Sequence, residues 1–510
     1  MADKGSAWLN GAGVITDPQQ AGQPRSAGPP VTSRAGGIAR TMLIVAAGAV
    51  CTMFVLGATP DPWAWESLRV LAVGIVLLSI FYFPTDVLKP SFVIWWLMLI
   101  SECIFFREGD ANSNANAYQG NFPTAAYGEV VMWGLCFLAV LVCSRRIRGY
   151  FGRLFAGDYK WLTLFAMLCL GSCAYAPRPS LGLVWSFKLT LVVFLLLVCS
   201  NQMRDLRDTE SFLRFTTWAY AIIVLQPVLI AMFRGVLFDE EGRMSTIVSP
   251  NALSPNAGVV VLLALALFSG RKGEGMHKSA ILVGVVACVI MILAGSKTGI
   301  MAAVFAGGLF FFFRRRFGSA VGYVAATAVL IAVLALSTPL GNYFHTYREG
   351  EGAESFSGRT LLWNAVLPAI EQKPIIGHGY MSSEFIGFQV NAVGWAAPHL
   401  HNGFLESLYN NGVFGFLVML IITIVIPVKL YRVLRLAPAT DRVYQIAAGC
   451  LSLYAFLLIN GFFNSSFGGK TTAPFMLMLA LVPVSNKLFE IASGSSESRE
   501  PARLDARTGR

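Results

Sequence analysis

Residues 399–428 read HLHNGFLESLYNNGVFGFLVMLIITIVIPV. Two histidines and an asparagine open the stretch, and beyond Glu406 it holds no charged residue. About 20 mostly apolar residues, wound as a helix, cross the roughly 30 Å of hydrocarbon in a bilayer. This stretch is therefore a membrane span with a polar head at its mouth, and the rest of the chain repeats the pattern. Of its 510 residues 55% are hydrophobic and 13% charged, and the mean hydropathy is +0.61. A soluble domain carries about 25% charged residues.

Working outward from 403–428, about fourteen apolar runs of span length can be placed. They lie at 41–58, 68–83, 91–106, 127–143, 160–176, 181–199, 213–233, 256–270, 279–294, 299–313, 320–337, 403–428, 444–462 and 472–486. The fold class is all-α, a polytopic transmembrane helical bundle; a barrel would show short alternating segments instead. The membrane domain is expected over 38–487. Residues 1–37, rich in Gly, Pro, Ser and Gln, and the polar residues 488–510 are expected to be disordered cytoplasmic tails. The first apolar run starts near Thr41, too far in for an ordinary cleavable signal.

The net charge of +11 does not point to nucleic acid, because the basic residues form small clusters between apolar runs. With the N-terminus inside, the inner connections hold Arg145, Arg146, Arg148 and Arg153, then Arg204, Arg207 and Arg214, then Arg271, Lys272 and Lys278. Further inner clusters are Arg314–Arg316 and Lys429, Arg432, Arg435 and Arg442. The outer connections carry Asp61, Glu66, Glu108, Asp110 and Asp239–Glu241. That alternation follows the positive-inside rule and places both termini in the cytoplasm. The nine cysteines lie in or beside apolar runs and form no C-x-x-C pair, so they read as small buried hydrophobes.

One outer connection, 338–402, is much longer than the others, and loops of that length are commonly functional. Within it TLLWNAVLPAIEQKP (360–374) reads as a short amphipathic helix stopped by Pro374, followed by a turn at Gly377-His378-Gly379. His401 then falls where the loop re-enters the membrane, with Asn402 placed to cap the helix.

Here the sequence resembles the O-antigen ligase and polymerase superfamily of bacterial inner-membrane enzymes. His401, Asn402, Gly412 and Gly415 stand at the spacing of its signature: His, Asn, nine residues, Gly, two residues, Gly. SGRTLLWNAVLPAIEQKPIIGHGY (357–380) is similar to the family's loop segment and GRMSTIVSPNALSPN (242–256) to its G-R…P-N segment. SKTG (296–299) occupies the place of an S-R-x-G segment, with Lys297 where Arg is usual; a charge is kept and a bidentate fork lost. The resemblance spans roughly residues 160–485.

It implies transfer of glycan from an undecaprenyl-diphosphate carrier to an acceptor sugar on the periplasmic face of the bacterial inner membrane. The partners it implies are the carrier-linked oligosaccharide, the acceptor glycan and the bilayer, with a chain-length regulator left open. Cofactor and metal are expected to be none: the carrier is already activated, and the outer loop shows no carboxylate pair of metal-binding type. A lone interfacial histidine is more often structural, but the motif makes His401 the candidate base, with His399 its neighbour and Glu406 an orienting group about one turn along. Arg243, Lys297 and Arg359 are each ordinary loop charges alone; together on the outer side they suit a diphosphate. Lys188, two turns into its span, is divided between a substrate-binding role and snorkelling, and Glu102 and Glu129 share that ambiguity. FGGKTT (467–472) lacks the first glycine of a phosphate loop and is set aside, as are His345 and His378, which lack metal-site companions. Polymerase and ligase both fit the resemblance, with HLHNGFLESLYNNG nearer the exopolysaccharide-polymerase branch. A flippase would show a two-fold repeat with broken helices near mid-membrane, and neither is evident.

Overall fold

The structure, a computed structural model, describes residues 89–104, 124–144, 149–239, 242–244, 246, 248–268, 276–338, 359–384, 399–464 and 466–497. The spans expected at 41–58 and 68–83, the tail 1–37, the basic residues Arg145, Arg146, Arg148, Arg271 and Lys272, and His345 lie outside the described residues. So do the side chains of Glu102 and Lys278.

Helices in chain order are α1 (Pro90–Leu99), α2 (Thr124–Ser144), α3 (Tyr159–Ser172), α4 (Pro179–Gln202), α5 (Leu206–Phe233), α6 (Pro250–Phe268) and α7 (Met276–Leu293). They continue with α8 (Lys297–Phe313), α9 (Phe317–Ser337), α10 (Arg359–Gln372), α11 (Gly403–Leu436), α12 (Arg442–Phe463) and α13 (Ala473–Glu497). All except α10 coincide with expected spans. Eight of the helices are long and apolar enough to cross a membrane, and α1, α8 and the apolar part of α7 are shorter. The chain is an all-α polytopic membrane protein.

Helix ends differ from the apolar runs where polar caps extend them. Asp205 accepts the Asp208 N–H at 2.8 Å, so α5 starts at Leu206 rather than near 213. At the other end of the chain α13 runs on to Glu497, so the first part of the expected 488–510 tail is helical. There Lys487 and Glu490 pair at 3.1 Å across one helical turn.

The helices α6, α11, α12 and α13 are packed on several sides, with α6 against α5, α7, α8 and α12. Within α9 only Thr327 is buried, while Val321, Val329 and Leu336 are exposed, as suits a helix facing lipid tails. Helix polarity separates two ends. Tyr444 at the start of α12 donates to Phe313 O at the end of α8 (2.6 Å), so these helices are antiparallel. The start of α8, with Lys297, then shares an end of the bundle with Asn464, which follows α12. Arg442 and Arg214 gather at the opposite end, both on Glu210 (2.8 and 3.3 Å). Lys429 is paired with Asp158 as α11 runs toward that same end.

The helix α10 is amphipathic: Leu362, Val366 and Ile370 form a buried stripe against Leu400 and Tyr409. What seats it is a break in α11. Gly412 has φ 62° and ψ −165°, so the run 403–436 is two helices joined by a kink. The turn after Pro374 fills the gap. His378 and Gly379 N–H donate to Tyr409 O and Asn410 O, and Val413 N–H donates to Pro374 O, all at 2.8 Å. A Cβ at Gly412 would stand 2.2 Å from Ile375 O, and one at Gly377 (φ +73°) 2.5 Å from Asn410 O. The His378 ring stacks on Tyr409, centroids 4.4 Å apart. Its Nε2 lies 2.7 Å from Ala369 O; a carbonyl only accepts, so this nitrogen carries the proton and ties α10 to the turn.

Gly412→Ala combines a left-handed backbone with a clash against main chain, and each is costly. Its apparent Tm in detergent is expected to fall by on the order of 5 °C or more. Gly308→Ala in α8, where a Cβ meets nothing within 4 Å, is expected to hold or raise it, since Ala favours helix over Gly by about 1 kcal/mol. Equal shifts in the two variants would show that the break is not a structural keystone.

Candidate functional site

The site is built at the head of α11. Asn402 Oδ1 accepts the N–H groups of Phe404 and Leu405 (3.0 and 3.1 Å), capping the helix as its sequence position suggests. Just before the cap His401 adopts φ 52°, a left-handed conformation that costs a residue with a Cβ about 1 kcal/mol or more. The surroundings hold it there. Glu406, fully buried, accepts the Leu400 N–H at 3.1 Å, and Trp363 of α10 donates its indole N–H to Leu400 O at 2.9 Å. Leu400 is thus clamped from both sides, and the His399 and His401 rings lie with centroids 4.2 Å apart, tilted by 51°. Glu406 orients the histidine turn through the backbone.

Both imidazoles are held in the neutral form. Burial lowers the His399 pKa to about 4, helped by the charges of Lys470 and Arg359. Burial also pushes His401 well below the usual histidine range, with His399 and Arg359 adding to the shift. A neutral imidazole accepts a proton, which is what a base needs. Arg359, first residue of α10, is steadied by a 3.3 Å bond from its guanidinium to Asn464 Oδ1.

Arg243 and Lys297 come together on a neighbouring seam at the same end of the bundle. Asp239 fixes the Arg243 loop, accepting its backbone N–H at 2.8 Å and pairing with its guanidinium at 3.3 Å. The next residue, Met244, donates its N–H to Leu293 O at the end of α7 (2.8 Å). Lys297 opens α8 behind the Ser296 cap, and a Cβ on Gly299 would stand 2.6 Å from Ser254 Oγ of α6. The glycine of SKTG thus lets the S-P-N segment pack directly on the turn that carries Lys297.

Lys188 is buried inside the bundle rather than snorkelling to the interface. It is 1% exposed, 3.7 Å from Glu129 Oε1, and lies over the rings of Trp133 (4.7 Å) and Trp185 (4.9 Å). Ser101 Oγ donates to the same Glu129 oxygen at 3.4 Å. Its charge is matched inside the bundle.

Two further groups belong to the site, and sequence reasoning passed over both. The FGGKTT segment, set aside as a false phosphate loop, packs on the head of α11: a Cβ on Gly468 would stand 2.0 Å from Gly403 O, and one on Gly469 2.4 Å from Glu406 Oε2. It delivers Lys470 beside His399. Glu384, after the Pro374–Gly379 turn, feels the same ammonium; burial nevertheless raises its pKa to about 7. The available signal was a lysine beside paired glycines at a span mouth. Among the described residues no group of three or more His, Cys, Asp or Glu side chains is placed to hold a metal ion.

A polytopic helical membrane protein with a half-buried histidine pair, flanked by cations at one end of the bundle, is the class that fold and site define. The O-antigen ligase family model matches residues 280–420, from α7 through the histidine turn into α11. The exopolysaccharide production protein ExoQ of Rhizobium meliloti (strain 1021) is 24% identical over 347 residues, covering 62% of this chain and 75% of that protein. Both matches bear out the resemblance to the O-antigen ligase and polymerase superfamily read from the motifs.

The depressed histidine pKa values give stability a definite pH dependence. Below about 6.5 the unfolded chain binds protons that the folded site refuses. The contribution is therefore complete above the unfolded value and lost progressively as pH falls from 6.5 toward 4. Thermal unfolding from pH 7 to 4 is expected to show this loss, and His399→Gln to reduce it. At pH 6, where a free imidazole is about three-quarters protonated, nitrogen-15 NMR of histidine-labelled protein should show His399 neutral. A charged ring there would contradict the site electrostatics.

For the buried pair, Lys188→Met removes the cation 3.7 Å from the buried Glu129 carboxylate and is expected to destabilise by on the order of 3 kcal/mol. Glu129→Gln added to it should restore much of that, as read by unfolding in detergent. A double variant no more stable than the single would argue against the pairing.

Proposed function

We propose that this chain is a membrane glycosyltransferase of the polysaccharide-polymerase kind, joining undecaprenyl-diphosphate-linked glycan to an acceptor sugar on the periplasmic face of the bacterial inner membrane. The observation that carries the reading is His401: an imidazole held neutral by burial and neighbouring cations, in a strained turn at the head of α11. It accepts the proton of the acceptor hydroxyl. The hydroxyl oxygen attacks the anomeric carbon of the donor as the bond from that carbon to the diphosphate oxygen breaks, and the configuration inverts. The proton then leaves His401 for the departing diphosphate or solvent.

The diphosphate gathers negative charge as it departs, and fixed cations stabilise that charge most where water is scarce. Arg359 lies beside the histidines, and Arg243 and Lys297 stand at the same end of the bundle; these three hold the leaving group. Asn402 and His399 fix the geometry of the catalytic ring and Glu406 clamps its backbone. Polymerisation rather than ligation is favoured by the likeness to an exopolysaccharide production protein and by the HLHNGFLESLYNNG stretch. The basic residues Arg214, Lys429 and Arg442 at the opposite end support a cytoplasmic assignment for that end. On that reading the site faces the periplasm.

The test is transfer by purified protein in lipid, supplied with an undecaprenyl-diphosphate-linked repeat from the source organism, with and without a lipid A-core acceptor. A ladder of products from the donor alone is expected, unaffected by EDTA. His401→Ala should lower it at least 100-fold, within the usual range for losing a general base. A single transfer that requires the core acceptor would make the protein a ligase. Carrier-linked sugar crossing the bilayer with no new glycosidic bond would replace the enzyme with a transporter.

A further inference from the structure

Lys470 sits where the segment linking α12 to α13 is held most tightly. Tyr380 donates its hydroxyl to Gly469 O at 2.7 Å. Asn410 Nδ2 bridges Ser383 Oγ (3.0 Å) and Gly468 O (3.3 Å). With Gly468 and Gly469 pressed on the head of α11, the backbone before Lys470 cannot withdraw from the histidine turn. The ammonium rests 4.6 Å from the centroid of Trp185, a ring that is 5% exposed. Among the described residues Lys470 has no carboxylate at ion-pair distance. His399, kept neutral, and Glu384 feel its charge, and Lys188 shares the Trp185 ring with it. Burial raises the Glu384 pKa above the usual carboxylate range, so it is more readily neutralised than an ordinary glutamate and offsets the ammonium less.

We propose that Lys470 is an anion-binding residue of this site, taking a phosphate oxygen of the diphosphate on the carrier-linked donor. The inference rests on the glycosyltransferase reading and adds to it a cation outside residues 280–420, which the family model matches. A compact ammonium with three donors suits a single phosphate oxygen, whereas the planar fork of Arg359 suits two. An anion between them relieves the repulsion that Lys470 and Arg359 exert on a protonated His399. Trp185 fixes the direction of the lysine while leaving its charge unmatched.

The experiment uses the full chain in nanodiscs of phosphatidylcholine, titrated with undecaprenyl diphosphate and, separately, with undecaprenol. The wild type is expected to bind the diphosphate more tightly than the alcohol. Lys470→Gln should weaken the diphosphate about 10- to 100-fold, the usual scale for a lost charge-assisted bond, and leave the alcohol unchanged. Lys470→Arg should stay within about threefold of the wild type because the charge is kept.

A second measurement needs no variant. Reductive methylation of Lys470 in the wild type, followed by mass spectrometry, should be slowed by undecaprenyl diphosphate and not by undecaprenol or phosphatidylglycerol. Unchanged diphosphate affinity in Lys470→Gln, or unchanged methylation, would overturn this role while leaving the glycosyltransferase reading in place. Equal protection by phosphatidylglycerol would assign Lys470 to a lipid headgroup and overturn the donor contact. A wild type that does not bind undecaprenyl diphosphate at all would overturn both readings.

Discussion

The break in α11 at Gly412 is the constraint from which the site follows. An unbroken helix would commit the carbonyls of Tyr409 and Asn410 to bonds within itself. With Gly412 at φ 62° they turn outward and accept His378 and Gly379 N–H instead. In a membrane protein, polar backbone at this depth is tolerated only where other protein satisfies it. The break and the Pro374–Gly379 turn therefore require each other. The turn in turn fixes the neighbouring elements: His378 bonds Ala369 of α10, Tyr380 donates to Gly469 O in the segment that carries Lys470, and Asn410 ties Ser383 to Gly468 of that segment. Gly379 packs on the chain just after α3, where a Cβ would stand 2.5 Å from Ala176. One glycine thus couples the loop helix, the head of α11 and the α12–α13 link.

The electrostatics of the site follow from that close assembly. Two imidazoles and several cations are packed at a mouth from which most water is excluded, and desolvation is the largest cause of both histidine shifts. A histidine in water would be partly protonated near neutral pH and of limited use as a base. Burial beside Arg359 and Lys470 reverses this: protonation of His399 is disfavoured and the ring stays neutral.

Much of this was legible locally. Asn402 as a cap, α10 from its apolar spacing and Pro374, and the H-N-x9-G-x2-G pattern all depend on residues near one another in the chain. The break at Gly412 was not visible as a break, because the apolar content does not change across it and the run 403–428 reads as one span. The end of α13 was missed because a polar face, Lys487 and Glu490 among it, looks the same whether the helix stops or continues into the interface. Lys470 was discarded for the opposite reason. Its segment was compared with a nucleotide motif that it does not satisfy, while its actual neighbours, Trp185, His399 and Glu384, come from three other segments.

Trp185 shows why residue type and depth alone do not assign a lysine. Two ammonium groups rest on the same ring, Lys188 at 4.9 Å and Lys470 at 4.6 Å. Lys188 looked the stronger functional candidate because it lies inside a span, where an unmatched charge is most costly. That cost is the reason it is matched: Glu129 lies 3.7 Å away, on a helix far off in sequence. Lys470 lies at the mouth, where a partly hydrated cation can stand without a full partner. The deeper charge is paired inside the bundle, whereas the shallower one rests on the Trp185 ring.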